Sequence, residues 1–272
     1  MDQLGMTSRW VAAAREQETL LPNRLFDDPF AAALAGDEGR AMLTRFNGPS
    51  GENPFLSIRT RFIDDWLLAE AARGIRQVVL LAAGMDARAF RLAWPDATAV
   101  FEVERPEVLA WKEGVLSTLR ATPRARRVLV RMDLRDDWRA ALHAAGHDQA
   151  KPSAILVEGL LPYLPDQAAA HAILSAAASL AAPGSAVAAD VVGASFLTSP
   201  LVKGFLDTLA AEGVPWLFGT DSPEALFEQA GWHDVRAIQP GEVAYAQGRW
   251  PYATAPRGVP GVPRSFLVTA RR

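Results

Sequence analysis

The stretch QVVLLAAGMDARAFRL, residues 77–92, followed by AVFEVERPEVL, residues 99–109, decides the fold. An apolar strand runs into a turn of small residues, a helix follows, and the next apolar strand ends in Glu102 and Glu104. A nucleoside-binding βαβ unit begins in this way. Ala82, Ala83 and Gly84 carry minimal side chains, so backbone N–H groups of the turn can approach a ligand closely, and Gly84 can take positive φ. An acid about twenty residues further on is placed to accept from both hydroxyls of a ribose. Glu104, at the carboxyl end of its strand, is the choice for that role, and Glu102, two residues earlier on the same face, is the runner-up. These residues predict an enzyme that uses a nucleoside-containing cofactor.

Outward from this unit, strand candidates at 77–83, 98–104, 127–132, 154–160 and 185–192 leave room for helices between them, which predicts α/β alternation with a doubly wound, mostly parallel sheet. Two further strands, DVRAIQP at 234–240 and RSFLVTARR at 264–272, are joined by the long GEVAYAQGRWPYATAPRGVPGVP. That connection suits an antiparallel last strand slotted into a seven-stranded sheet. SIRTRFIDDWLLAEAAR (57–73) sets Ile58, Phe62, Trp66 and Ala69 on one helical face, and Gly74 stops it. DQAAAHAILSAAASLAAPG (166–184) is a helix opened by Pro165 and Asp166 and closed by Pro183 and Gly184. One domain, 1–272, is predicted. Residues 1–56 form a cap of short helices and loops broken at LPN, DDPF and NGPSGENP, 57–192 the cofactor-binding core, 193–221 a lid insert rich in Phe, Leu and Trp, and 222–272 the C-terminal strands, after a helix at 222–230.

A chain of 272 residues, 50% hydrophobic and 22% charged, can bury one sizeable α/β core. With a net charge of −3 and scattered Arg, nucleic acid is not expected as a partner. The absence of Cys excludes a disulfide framework, a thiolate nucleophile and a Cys-based zinc site. No apolar run approaches a membrane span and the N-terminal stretch carries charges, so a soluble, cytoplasmic protein without membrane association is expected. His143 and His147 are four apart but lack a third metal ligand. A nicotinamide oxidoreductase fits poorly, because the turn has one Gly and no Tyr-x-x-x-Lys pair appears.

IRTRFIDDWL, VVLLAAGMDARAFRL, FEVERPEVL, VRMDLRDDW and VEGLLPYLP, in this order and spacing, resemble the class I S-adenosylmethionine methyltransferases of the leucine carboxyl methyltransferase type. That group includes bacterial O-methyltransferases of polyketide and other natural-product pathways, and the closing GRWPY…PGVPRSFLVTARR is similar to its bacterial members. The resemblance implies a Rossmann-like fold, S-adenosyl-L-methionine as cofactor and a defined set of binding residues. Arg59 matches the residue directed at the methionine carboxylate, and the turn at Ala82 and Gly84 passes under the cofactor. Glu104 takes the ribose diol; Asp133 accepts from the adenine amine, Leu134 packs on the ring and Trp138 adds a stacking surface. Glu158 lies by the methionine amino group or the transferring methyl. The sequence departs from the family in two places: the usual Gly-Ala-Gly is Ala82-Ala83-Gly84, and the ribose acid is more often Asp. Without the resemblance, Arg59 could be a surface ion pair and Asp133 the cap of a helix starting at Arg135 or Asp136.

Methyl transfer from a sulfonium is an in-line displacement, so the protein mainly aligns the acceptor and, where needed, removes a proton. His233, in AGWHDV, is the candidate base; Tyr163, in LLPYLP, is the candidate that shapes the acceptor pocket. His143, His147 and His171 read as surface residues. Phe196, Phe205, Trp216 and Phe218 of the insert suggest a flat apolar acceptor. The expectation is O-methylation of a small aromatic or carboxylate acceptor in secondary metabolism, such as antibiotic biosynthesis. C- or N-methylation of an indole-like acceptor, and a non-catalytic cofactor-binding protein, are the alternatives. The N-terminal cap is a candidate homodimer surface.

Overall fold

Seven strands form one sheet in the order β3-β2-β1-β4-β5-β7-β6 in a computed structural model that describes residues 1–48, 51–259 and 261–272. The strands are β1 (Gln77–Leu81), β2 (Ala99–Glu104), β3 (Arg126–Arg131), β4 (Ser153–Val157), β5 (Ala186–Val192), β6 (His233–Ile238) and β7 (Ser265–Arg271). The first five run parallel, and β7 inserts antiparallel between β5 and β6. The doubly wound expectation and its antiparallel last strand are therefore met. β1, β2, β4 and β5 are buried along their whole length, as continuous Val, Ile, Leu and Ala runs require when helices cover both faces. β3, at the edge, is largely half-buried or exposed.

The N-terminal region differs from the expected cap of short pieces. It holds two long helices, α1 (Gln3–Leu20) and α2 (Ala31–Asn47), and α3 (Pro54–Ala72) starts three residues earlier than the apolar periodicity predicts. Asp2 caps α1 by accepting from the Gly5 N–H at 2.8 Å, and Asn53 caps α3 by accepting from the Leu56 N–H at 3.1 Å, with Pro54 in the first turn. α2 breaks at Gly36, whose φ of 57° lies in the left-handed region. There the Arg9 guanidinium of α1 crosses close to Gly36 and donates to the Ala35 carbonyl at 2.9 Å, and a Cβ at Gly36 would sit 2.7 Å from it. Pro49 and Ser50 of the NGPSGENP break, and Pro260 of the last long connection, lie outside the described residues.

α4 (Arg88–Arg91), α5 (Pro106–Thr118), α6 (Trp138–Ala144) and α7 (Gln167–Leu180) join the parallel strands. Asp166 caps α7, accepting from the Ala169 N–H at 2.8 Å. The 193–221 insert contains α8 (Ala194–Thr198) and α9 (Lys203–Ala211), and α10 (Pro223–Gln229) leads into β6. No helix among the described residues is long and apolar enough to cross a membrane.

Candidate active site

A cavity of about 1060 Å³ opens over the carboxyl ends of β1 to β5. Parallel sheets place their ligand sites there, because the strand order reverses beside β1. Ala82, Gly84, Glu104, Asp133, Leu134, Glu158, Arg59 and Tyr163 all line it, so the structure brings these eight candidate residues together and leaves out His233 and Trp138. Gly5, Thr7 and Ser8 of α1 also line it.

The turn after β1 carries backbone strain where Ala replaces Gly. Ala82 has φ 54° and Gly84 φ 46°, both left-handed. For Ala82 that conformation costs on the order of 1 kcal/mol, a penalty that persists where the surrounding structure enforces it. Glu104 is one such restraint: its carboxylate accepts from the backbone N–H of Gly84 and of Arg105, each at 2.8 Å. Burial raises the Glu104 pKa, while these two N–H groups oppose the rise. A carboxylate has lone pairs for further donors, so Glu104 can hold the turn and still accept from a ligand. Glu102 is turned to other use: it is fully buried and pairs with Lys112 at 2.9 Å and Arg127 at 2.7 Å. On β3's exit, Asp133 accepts from the Arg135 N–H at 2.8 Å and pairs with its guanidinium, which lowers its pKa. The cap of α6 is Asp137.

Beneath the turn lies a continuous buried ion-pair network that sequence reading missed. Arg59 contacts Glu158 at 3.0 Å and Asp190 at 2.8 Å. Arg88 contacts the other Glu158 oxygen and Asp64, each at 2.6 Å, and also Asp86. Arg91 joins Asp64 at 2.6 Å to Asp28 at 3.6 Å, and Arg15 closes the chain on Asp28 at 3.9 Å. None of these side chains is more than 10% exposed. The surrounding guanidinium groups hold the Glu158 carboxyl far below its usual range despite burial. Arg59 is thus neither a surface ion pair nor an uncommitted clamp. The available signal was Arg88 within the apolar GMDARAFRL and Asp190 within the apolar AVAADVV, each a charge that burial makes costly without partners.

Part of the cavity wall is aromatic. Trp216 lies edge-on to Tyr163 (ring centroids 6.2 Å apart) and to Phe205 (5.1 Å), and at a tilt to Phe196 (5.7 Å). Burial raises the Tyr163 pKa, so its phenol stays protonated at neutral pH and is available as a donor. Phe218, expected with these rings, is instead buried in the core and does not line the cavity.

Three other expectations are corrected. His233 opens β6, where it pairs with Arg271, which in turn pairs with Ala186 at the start of β5. That row is the amino end of the parallel strands, opposite the cavity, and His233 is exposed there. The residues AGWHDV did not reveal at which end of the strand the imidazole would sit. We expect His233→Ala to leave cofactor affinity and turnover at the wild-type level, checked by titration and initial rates; a large fall in turnover alone would return it to the site. Trp138 is 3% exposed, packed in the core at the start of α6 and outside the cavity lining. His147 is buried rather than superficial: its Nε2 is 2.9 Å from the Ser153 hydroxyl and its ring lies edge-on to Phe101. Burial lowers its pKa.

The family model for leucine carboxyl methyltransferase matches residues 8–178. The chain belongs to this family. Among its relatives, a protein of Mycobacterium tuberculosis named "Putative S-adenosyl-L-methionine-dependent methyltransferase" is 44% identical over 203 residues, 70% of this chain and 65% of that protein. The matched part therefore spans 65% of the mycobacterial protein's length. A protein of Saccharopolyspora erythraea bearing the same name is 38% identical over 243 residues, 84% of this chain and 83% of its own. Among solved structures, a DUF574-family protein from Streptomyces avermitilis is similar in fold, with a TM-score of 0.63 at 18% identity over 96% of each chain. A structure from Thermobifida fusca, titled a "putative methyltransferase", has a TM-score of 0.54 at 18% identity, covering 95% of this chain and 94% of its own. This member of the leucine carboxyl methyltransferase family thus has the fold of both.

Proposed function

We propose that the chain is an S-adenosyl-L-methionine-dependent methyltransferase that methylates an oxygen of a small aromatic or carboxylate acceptor. The observation that carries this reading is one cavity lined both by a ribose-type carboxylate, Glu104, and by the aromatic side chains of Tyr163, Phe196, Phe205 and Trp216. The cofactor is S-adenosyl-L-methionine. The residues fit it: the turn after β1 has two left-handed positions with minimal side chains, Glu104 can accept from vicinal hydroxyls, and the buried Glu158 Oε1 has no hydrogen-bond partner among the described residues. A volume of about 1060 Å³ exceeds what most single small ligands fill, leaving room for an acceptor.

When bound, the cofactor would supply an electrophilic methyl group on a positively charged sulfur, with the neutral thioether as leaving group. Glu104 would hold the ribose, Asp133 would accept from the adenine amine, and Leu134 would cover the ring. Ala82 and Gly84 let the backbone pass close beneath. Arg59 holds Glu158 and Asp190 in fixed orientation and, through them, meets the methionine end. The aromatic wall aligns a flat acceptor and excludes water, and the protonated Tyr163 donates to its oxygen. With no imidazole in the cavity lining among the described residues, an acceptor that arrives ionised needs no proton removed. That favours a carboxylate or an acidic phenol.

Incubating the protein with methyl-labelled S-adenosylmethionine and a panel of benzoic acids, phenols and indoles tests this. Labelled methyl ester or aryl ether is the expected product. Label on nitrogen or carbon would contradict the oxygen assignment, and transfer to none of the panel would contradict the acceptor class.

A further inference from the structure

The buried network under the turn is not electrically balanced. Its eight linked ion pairs join four guanidinium groups to five carboxylates among the described residues, so one formal negative charge stays without a protein partner. An uncompensated charge in so dry a place is costly unless a ligand neutralises it. The network meets the cavity at Arg15, Arg59, Asp86, Glu158 and Asp190, of which three are anionic. There the Glu158 Oε1, on a side chain only 10% exposed, has an ion contact with Arg59 but accepts no hydrogen bond. The surplus therefore faces the ligand space with acceptor capacity to spare.

We infer that this surplus negative charge gives the site a charge preference: it favours the sulfonium cofactor over the neutral thioether left after methyl transfer. The inference rests on the cofactor reading above. S-adenosylmethionine carries a sulfonium, an ammonium and a carboxylate, one positive charge net. S-adenosylhomocysteine has lost the sulfonium charge and is neutral overall, so the network has a surplus again once the methyl has left. The site thus holds its substrate form and releases its product form. Because the network is buried, salt screens the preference little.

Isothermal titration of the full chain with S-adenosylmethionine, S-adenosylhomocysteine and sinefungin, whose amine carries the charge in place of the sulfonium, tests the inference. The wild type is expected to bind both cationic ligands about tenfold or more tightly than S-adenosylhomocysteine. Asp190→Asn, in the cavity wall, removes the surplus and is expected to bring that ratio close to one. Asp28→Asn removes it at the remote end of the network, outside the cavity lining, and is expected to lower the ratio with S-adenosylhomocysteine affinity retained. A purely structural loss would weaken all three ligands together and leave the ratio unchanged. Equal wild-type affinities, or a ratio that neither substitution moves, would overturn the charge preference while leaving the cofactor reading intact; binding of none of the three would overturn both.

Discussion

Arg88→Ala is expected to lower the stability of the fold by about 3–5 kcal/mol, the range found when one partner of a buried ion pair is removed. Arg88 is 1% exposed and holds Asp64, Asp86 and Glu158 at once, and its Nε and Nη1 donors reach all three. Removing the guanidinium takes one cation contact from each of three carboxylates. Asp64 keeps Arg91 and Glu158 keeps Arg59, but Asp86 keeps no direct ion pair among the described residues. Urea unfolding followed by circular dichroism measures the effect, with a lower midpoint at an unchanged slope as the expected result. A wild-type midpoint would mean that the network contributes nothing to stability and that Arg88 is dispensable. The same residue shapes the site, since Glu158 is aimed by Arg88 on one oxygen and Arg59 on the other.

Glu104→Ala is expected to weaken S-adenosylmethionine binding about a hundredfold, from the loss of two charge-assisted hydrogen bonds of roughly 1.5–3 kcal/mol each, partly offset by water. The substitution also frees the Gly84 and Arg105 N–H groups that the carboxylate now holds at 2.8 Å, so the turn loosens as well. Glu104→Gln separates the two effects. Its amide oxygen can still accept from one of the backbone donors, and affinity between those of wild type and Glu104→Ala is expected. Calorimetric titration of the three proteins is the measurement, and an unchanged Kd in Glu104→Ala would mean that the carboxylate serves only the turn.

The residues that made the fold legible were those whose meaning is local. The apolar run of β1, the small-residue turn and the acid at the end of β2 are near neighbours in sequence, and their local pattern is that of a strand, a turn with a helix, and a parallel strand. Asp166 before the Ala-rich α7 is legible for the same reason, since a capping side chain acts within one turn of its helix. What could not be read depends on contacts between distant residues. Arg59 meets Asp190 across 131 positions, and nothing near either residue announces the other. Arg88 was visible as a charge in an apolar stretch, but its three partners come from α3, its own turn and the end of β4. His233 shows a different limit: its strand was expected, but the end of the sheet on which that strand begins follows from the direction of β6 against β7. The two long N-terminal helices were obscured because α1 buries Gly5, Thr7, Arg15 and Glu18 alongside Trp10 and Ala, so apolar periodicity underestimates its packed surface.

The central claim is that this cavity is a cofactor site for methyl transfer. Its most direct test is calorimetric titration of the wild-type chain with S-adenosyl-L-methionine, with NADH titrated in parallel. Saturable one-to-one binding of S-adenosylmethionine and no heat from NADH is the predicted result. No binding of S-adenosylmethionine, or binding of NADH in its place, would contradict the account.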